Sequence, residues 1–182
     1  MNFSTELKHT IRQMYDTAAR KPEGLLSRIR LNRGRELLTN LGYQQSDLDR
    51  LPEFIMESAF PCGNPLPAIR KLQPETTLDL GCGSCLDIGI MAADQNHRQR
   101  LIIGVDFSRE LLRLGSRFIS FLPVNHIQLL SADLTALPFS SPHFDCINLN
   151  GSFNVIYDKA AFLKQVSALL HPDGHVLIND LL

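Results

Sequence analysis

The sequence contains no tryptophan, only four cysteines and almost no net charge, since 18 lysines and arginines are balanced by 19 aspartates and glutamates. A net charge of −1 over 182 residues provides no strong field to attract nucleic acid or an anionic membrane, so we expect neither partner. No apolar run approaches the roughly 18 residues that a membrane-spanning helix needs. Residues 1–20 lack the apolar centre of a signal peptide. These absences predict a soluble, cytoplasmic protein.

The remaining composition is that of an ordinary globular chain, with 44% apolar and 20% charged residues. A chain of this length can bury a sizeable core without a disulfide or a structural metal. In the absence of a secretion signal, Cys62, Cys82, Cys85 and Cys146 are interpreted as free thiols. Cys146 lies within an apolar run and is predicted to pack in the core.

The first part of the chain is predicted to be helical. Apolar residues recur at helical spacing over residues 4–20 and again over 25–40. Ser46 is predicted to cap a third, short helix. An irregular segment rich in proline and glycine follows, and we place a boundary near residue 72. The domain prediction is therefore an N-terminal helical cap, residues 1–72, that forms a substrate lid, and a core of residues 73–182.

From residue 73 onward, short β-rich runs alternate with amphipathic segments. This alternation predicts an α/β fold, a doubly wound and mostly parallel sheet of about five strands with helices on both faces. Such sheets bind ligands at the carboxyl ends of their strands. The predicted strands cover residues 76–80, 101–106, 127–130, 144–149 and 175–180, and the predicted helices cover residues 84–93, 108–121 and 159–170.

The loop after the first predicted strand has the composition of a ligand-binding turn. Gly81 and Gly83 allow a tight turn and a close approach of the backbone to a ligand, and the following helix presents free N–H groups. The third glycine of the usual G-x-G-x-x-G pattern is missing. Asp79 would repel a pyrophosphate at this place. The loop therefore favours a ligand with a positively charged end over a dinucleotide.

Two further acids follow the next two strands. Asp106 ends the second strand, where a carboxylate can accept hydrogen bonds from a ribose diol. Asp133 follows the third strand, where it could accept a hydrogen bond from an adenine amino group. Acids after three successive strands, with glycines after the first, predict a nucleoside ligand.

These motifs resemble the successive signatures of class I S-adenosylmethionine-dependent methyltransferases. The resemblance covers roughly residues 70–182 and implies a Rossmann-like fold, with S-adenosylmethionine as the cofactor and in-line methyl transfer to a small-molecule acceptor. The matching segments are Leu78–Gly83, Gly104–Asp106, Ser131–Leu134 with Pro138-Phe139, and Leu170–Gly174.

The resemblance also implies a role for each matching residue. The methionine part of the cofactor would lie against the glycine loop, the ribose at the end of the second strand, the adenine after the third strand and the transferring methyl group after the fourth. In that order, the residues are Asp79, Gly81, Cys82 and Gly83; Asp106; Phe107, Asp133 and Leu134; and Asn150, Gly151 and Ser152. The resemblance implies no metal, and no general base stands out.

A narrower resemblance, over residues 41–95, is to the arsenite methyltransferase-like branch of this family. It is carried by Leu41-Gly42-Tyr43, Leu51-Pro52-Glu53, Cys62-Gly63-Asn64-Pro65 and Leu86-Asp87-Ile88. Tyr15 and Cys62 then become candidate substrate contacts together with Ser152. That branch binds As(III) with three thiolates. Gly151 stands where the branch has another cysteine, so a different small acceptor is expected.

Two alternatives stay open on the sequence alone. The missing third glycine, the missing thiols and a C-terminal end that is short for the family would also suit a non-catalytic cofactor-binding or subunit protein. The Cys82-Gly-Ser-Cys85 segment could instead support redox or metal chemistry. The apolar fifth strand, at the edge of the sheet, predicts a covering element. A second copy, another subunit or the N-terminal helices could provide it.

Overall fold

The computed structural model describes residues 3–20, 32–94, 100–140 and 143–181. The helices and strands alternate in the core as predicted, and the sheet has five parallel strands. The helices are α1 Phe3–Arg20, α2 Gly34–Asn40, α3 Gln45–Leu48, α4 Glu53–Glu57, α5 Leu66–Leu72, α6 Leu86–Ala93, α7 Arg109–Ile119 and α8 Lys159–Ser167. The strands are β1 Thr76–Leu80, β2 Leu101–Asp106, β3 Ile127–Ser131, β4 Phe144–Asn150 and β5 Leu170–Asn179.

The strand order is β3-β2-β1-β4-β5, so the chain reverses direction across the sheet between β1 and β4. This is the topological switch point, where loops from adjacent strands diverge and leave a crevice for a ligand. The α/β, doubly wound prediction is confirmed.

Side chains of β1 alternate between the two faces of the sheet. Leu78 and Leu80 point into a cluster that includes Phe162 and Val166 of α8. Thr77 and Asp79 lie on the other face, which also carries Asn148 of β4, bonded to Asp79. The period-2 alternation of a strand therefore directs the acid of β1 toward the helical layer that holds α6.

The N-terminal helices share a hydrophobic core with that layer. Leu38, Ile55 and Ile69, from α2, α4 and α5, are fully buried in one cluster with Ile88 of α6 and Phe118 of α7. In the described part of the chain, no helix is long and apolar enough to cross a membrane.

Several predicted boundaries are wrong by a few residues. Ser46 lies inside α3 and Gln44 is its N-cap. The helix predicted over 159–170 ends at Ser167, because the chain already pairs with β4 from Leu170 onward. Residues 171–174 then form an irregularity within β5. Of the helix predicted over 25–40, residues 25–31 lie outside the described residues.

The edge of β5 is largely uncovered in the described part of the chain. Its hydrogen-bonded neighbour is β4, and the side chain of Ile178 is 42% exposed. The N-terminal helices pack mainly against one another and against α7. Cover by a second copy or another subunit stays a prediction.

Candidate functional site

The loop between β1 and α6 takes a conformation that requires glycine. Gly81 and Gly83 have φ angles of +82° and +54°. A Cβ atom on Gly81 would lie 2.4 Å from Cβ of Ser152, so no side chain fits there. The loop is held against β2, since the N–H groups of Gly81 and Cys82 donate to the carbonyl of Val105 at 2.7 and 3.1 Å.

Asp106 connects this loop to the end of β2. Its Oδ2 accepts a hydrogen bond from the N–H of Gly83 at 2.9 Å, and its Oδ1 accepts one from the N–H of Ser108 at 2.8 Å. The side chain is 5% exposed. Burial raises the pKa of Asp106 to about 6, although the backbone donors of Ser108 and Gly83 oppose this rise. The carboxylate also lines the cleft.

Two further carboxyl groups are buried beside the loop, Asp79 on β1 and Asp87 in the first turn of α6. Asp79 accepts a hydrogen bond from Nδ2 of Asn148 at 2.9 Å. Asp87 accepts hydrogen bonds from the hydroxyl of Tyr43 at 2.7 Å and from Nδ2 of Asn150 at 2.9 Å. Burial raises the pKa of both groups, and the charge of Asp87 raises that of Asp79 further. We refer to Asp79 and Asp87 as the acid pair.

Asn150 holds three parts of the site together. Its Oδ1 accepts hydrogen bonds from the N–H groups of Cys62 and Gly63, both at 3.0 Å. Its Nδ2 donates to Asp87 and to the carbonyl of Gly63. Asn150 was predicted to contact the cofactor, but both ends of its side-chain amide are hydrogen-bonded to protein groups. It thereby fixes the segment around Gly63 against α6 and the end of β4.

Helix α1 lies across the mouth of the cleft. The ring of Tyr15 stands edge-on to those of Phe60 and Phe107, with centroids 6.4 and 6.1 Å away. Helix α1 is also bonded to the N-cap of α7, because Asp16 accepts a hydrogen bond from Ser108 Oγ at 2.5 Å. Burial, followed by the charge of Asp106, raises the pKa of Tyr15.

Asp133 lies in a second cavity, next to the first cleft. Its Oδ2 is 2.6 Å from Nζ of Lys8 on α1, and its Oδ1 accepts two hydrogen bonds from Thr135. Burial opposes ionisation, but Lys8 and Thr135 hold the pKa of Asp133 below its usual value. Phe107 and Leu134 line both cavities, so the two lie side by side.

The structure brings the predicted site residues together, except that Asp133 lines the second cavity and Cys62 lines neither. Cys62 packs behind the turn at Gly151, where a Cβ atom would lie 3.2 Å from its Sγ. Its Sγ is 3.8 Å from Oδ1 of Asp180. The first cleft is lined by Tyr15, Asp79, Gly81, Cys82, Gly83, Asp106, Phe107, Leu134, Asn150, Gly151 and Ser152.

Several other residues that line the cleft were not predicted from the sequence. Phe60, Pro61 and Val155 lie in loops, where neither periodicity nor spacing marks them as cleft residues. Asp87 belonged to a motif of the narrower resemblance, but by itself it was only an acid in the first turn of a helix. Its position beside Asp79 depends on how α6 packs against β1.

The two thiols of the C-x-x-C segment are buried, with Cys85 at 0% and Cys82 at 8% exposure. Burial raises the pKa of Cys82 well above its usual value. A buried thiol of high pKa, such as that of Cys82, is a poor nucleophile and a poor redox group. The residues with assigned positions contain no group of three or more potential metal ligands. Cys146 is buried in the sheet, as predicted.

Comparison with known proteins agrees with this geometry. The family described as "Methyltransferase domain" matches residues 73–182, which is more than half of the chain. A ubiquinone/menaquinone biosynthesis C-methyltransferase of Geotalea uraniireducens is 30% identical over 113 residues, covering 62% of this chain and 48% of that protein. The chain spans between a third and a half of the length of the first curated relatives.

Solved structures show the same fold. The arsenic(III) S-adenosylmethionine methyltransferase of Chlamydomonas reinhardtii superposes with a TM-score of 0.63 at 24% identity, covering 72% of this chain and 46% of that one. Phosphoethanolamine N-methyltransferase 1 of Haemonchus contortus, solved with S-adenosylhomocysteine, also gives 0.63, at 15% identity, covering 97% and 32%. With its parallel sheet, glycine loop and matching family, this chain belongs to the class I S-adenosylmethionine-dependent methyltransferases.

Proposed function

We propose that this chain binds S-adenosylmethionine in the cleft at the carboxyl ends of β1, β2 and β4, and transfers its methyl group to a small-molecule acceptor. The observation that carries the proposal is the position of Asp106. Its buried carboxylate is bonded to Gly83 of the glycine loop and faces the cleft that this loop lines. A diol binds well to such an acceptor, because hydrogen bonds to a charged oxygen are stronger than those between neutral groups.

The residues of the cleft fit this cofactor in shape and in charge. Gly83 leaves room for a ligand to approach the backbone, since the nearest atom to a Cβ placed there is Cδ1 of Leu111 at 3.9 Å. Carboxyl groups of Asp79, Asp87 and Asp106 line the same cleft and favour the positively charged methionine end. The second cavity adds space for the adenine, flanked by Phe107 and Leu134.

Each group of the chain then has a separate task in the reaction. The bound cofactor supplies a methyl group on a positively charged sulfur, which an acceptor takes by in-line displacement. Asp106 orients the ribose, and this positioning contributes to catalysis by holding the reacting groups in line. Asp133 is available for the adenine amino group once Lys8 gives up its ion pair. Tyr15 and Phe60 exclude water from the mouth of the cleft.

The acceptor is proposed to lie near Tyr15 and Ser152, which line the cleft, with Cys62 behind the adjoining turn at Gly151. Ser152 lines the cleft and donates to the carbonyl of Leu80 at 2.6 Å, which holds its turn in place. Burial, followed by the charge of Asp180, raises the pKa of Cys62, so this group is a neutral thiol near pH 7. Because residue 151 is glycine, Cys62 is the one thiol at the positions where the arsenite methyltransferase-like branch uses three thiolates to bind As(III). We therefore propose an acceptor other than arsenite.

The experiment has a binding part and a turnover part. Calorimetric titration with S-adenosylmethionine and S-adenosylhomocysteine should give micromolar dissociation constants. Transfer of a radiolabelled methyl group is then measured with a quinol, phosphoethanolamine and arsenite plus a thiol, which represent the acceptor chemistries named for similar proteins. A folded chain that binds neither ligand contradicts the proposal. Binding without transfer to any acceptor in a wider panel leaves a cofactor-binding protein.

A further inference from the structure

The acid pair is buried without a positively charged partner. Asp79 is 3% and Asp87 is 6% exposed. Their hydrogen-bond donors are the uncharged side chains of Asn148, Asn150 and Tyr43. No lysine, arginine or histidine in the described ranges pairs with either carboxyl group. Two adjacent buried carboxylates cannot both stay ionised near neutral pH without such a partner.

Among the described residues, the groups around the acid pair add further negative charge and no positive charge. The titratable groups that interact with Asp79 come from α6, β2, β4, the glycine loop and the segment after α2, and each of them is either neutral or negatively charged. They are Asp87, Asp106, Cys82, Cys146 and Tyr43. Each ionised group nearby increases the free-energy cost of a second negative charge in the pair.

An unsatisfied hydrogen-bond acceptor lies at the same place. Asn148 is fully buried and donates from Nδ2 to Asp79, yet its Oδ1 has no hydrogen-bond partner. Asn148 also interacts with Asp87. An unpaired buried carbonyl oxygen destabilises the folded state, and a protonated carboxyl group is a donor that could satisfy it.

We propose that Asp79 and Asp87 hold one proton between them in the free protein, and that a cationic ligand expels this proton when it binds in the cleft. The proton passes to the solvent, and the positive ligand takes its place in neutralising the pair. The inference rests on the proposed function, because it takes S-adenosylmethionine as the cationic ligand. The acid pair thereby selects a charged cofactor over neutral nucleosides, and more strongly at higher pH.

Calorimetric titration at pH 7.0 in two buffers of different ionisation enthalpy counts the protons exchanged. We expect the wild-type chain to release about one proton for each S-adenosylmethionine bound. At this pH the α-amino group of the ligand, whose ordinary pKa is about 7.7–8.0, is mostly charged already. Release of less than about 0.2 proton by a chain that binds the ligand would overturn the inference.

Two variants and a second ligand sharpen the test. Asp87→Asn removes one member of the pair and should reduce the release to below half a proton. Asp49→Asn is the matched control, because Asp49 is exposed and paired with Arg35, and it should leave the proton count unchanged. Methylthioadenosine, which has no positive charge, should bind with almost no proton release. Equal release with both ligands would contradict the proposal.

A measurement on the free protein separates this inference from the proposed function. Carboxyl ¹³C resonances of the labelled aspartates are followed from pH 4 to 9. We expect one member of the pair to titrate above pH 6. Midpoints below pH 5 for both would overturn the shared proton, whether or not the ligand binds. A chain that titrates as expected but binds no S-adenosylmethionine would refute the proposed function alone.

Discussion

The replacement Asp106→Asn tests the cofactor site most directly. An amide has nearly the same shape as a carboxylate but only one acceptor oxygen. Each carboxylate oxygen of Asp106 accepts a backbone N–H, from Gly83 or from Ser108. One of these donors therefore loses its partner, which costs about 1–3 kcal/mol of stability, but the neutral amide also avoids the burial cost that raises the pKa of Asp106 to about 6. Because the two effects oppose each other, and about 2–4 °C corresponds to each kcal/mol, the variant should melt within a few degrees of the wild-type chain and still fold at 20 °C.

The loss of affinity should be larger than the loss of stability. Hydrogen bonds to a charged acceptor contribute about 1.5–3 kcal/mol each and those between neutral groups about 0.5–1.5 kcal/mol, so losing one ribose bond and weakening the other costs about 2.5–4.5 kcal/mol. A factor of ten corresponds to about 1.4 kcal/mol, and the dissociation constant should therefore rise roughly 10²- to 10³-fold. Isothermal titration calorimetry with S-adenosylhomocysteine measures this change, and circular dichroism checks the fold.

A change on the ligand side tests the assigned contact. Adenosine and 2′,3′-dideoxyadenosine differ only in the two hydroxyl groups. Their removal should weaken binding to the wild-type chain by a factor at least as large, and binding to Asp106→Asn by about tenfold at most, because one acceptor is missing and the other is uncharged. An equal loss in both proteins would show that Asp106 does not hold the ribose and would refute the reasoning.

Two further predictions concern stability, and urea unfolding measures both. Gly81→Ala should destabilise the chain by at least about 1 kcal/mol more than Gly42→Ala. Both glycines have φ above +80°, but only a methyl group at position 81 would collide with Ser152. Equal effects would mean that the loop can shift to accommodate the methyl group. Tyr43→Phe should cost about 1–3 kcal/mol because it removes a donor from buried Asp87, whereas Tyr157→Phe, at an 81% exposed position, should change stability by less than about 0.5 kcal/mol. A Tyr43→Phe variant as stable as the wild-type chain would contradict the assigned hydrogen bond.

The fold of residues 73–181 was predictable because its patterns are local. The run Leu101–Asp106 has the length and apolar content of a buried parallel strand, and α7 carries its apolar residues at helical spacing. Ser108, the first residue of the predicted helix, is its N-cap and accepts a hydrogen bond from the N–H of Leu111. The end of α8 was not predictable, because pairing of Leu170 with β4 competes there with helix continuation.

The candidate site could be predicted only in part from such local sequence patterns. Asp106 and the glycines follow strands directly, so their place at one edge of the sheet follows from the alternation of strands and helices. Lys8 bears no sequence relation to Asp133, 125 residues away, and nothing in its spacing indicated the ion pair. The contacts of Asn150 likewise come from two distant segments of the chain.

By itself, the sequence determined the order of strands and helices, the glycine loop and the acids at the strand ends, because each depends on residues close together in the chain. Only the tertiary structure decided which groups share a buried environment. Asp79 and Asp87 are eight residues apart on different elements, and they become a pair only when α6 packs against β1. Whether two carboxyl groups lose their water and act on each other depends on that packing, and so does their protonation.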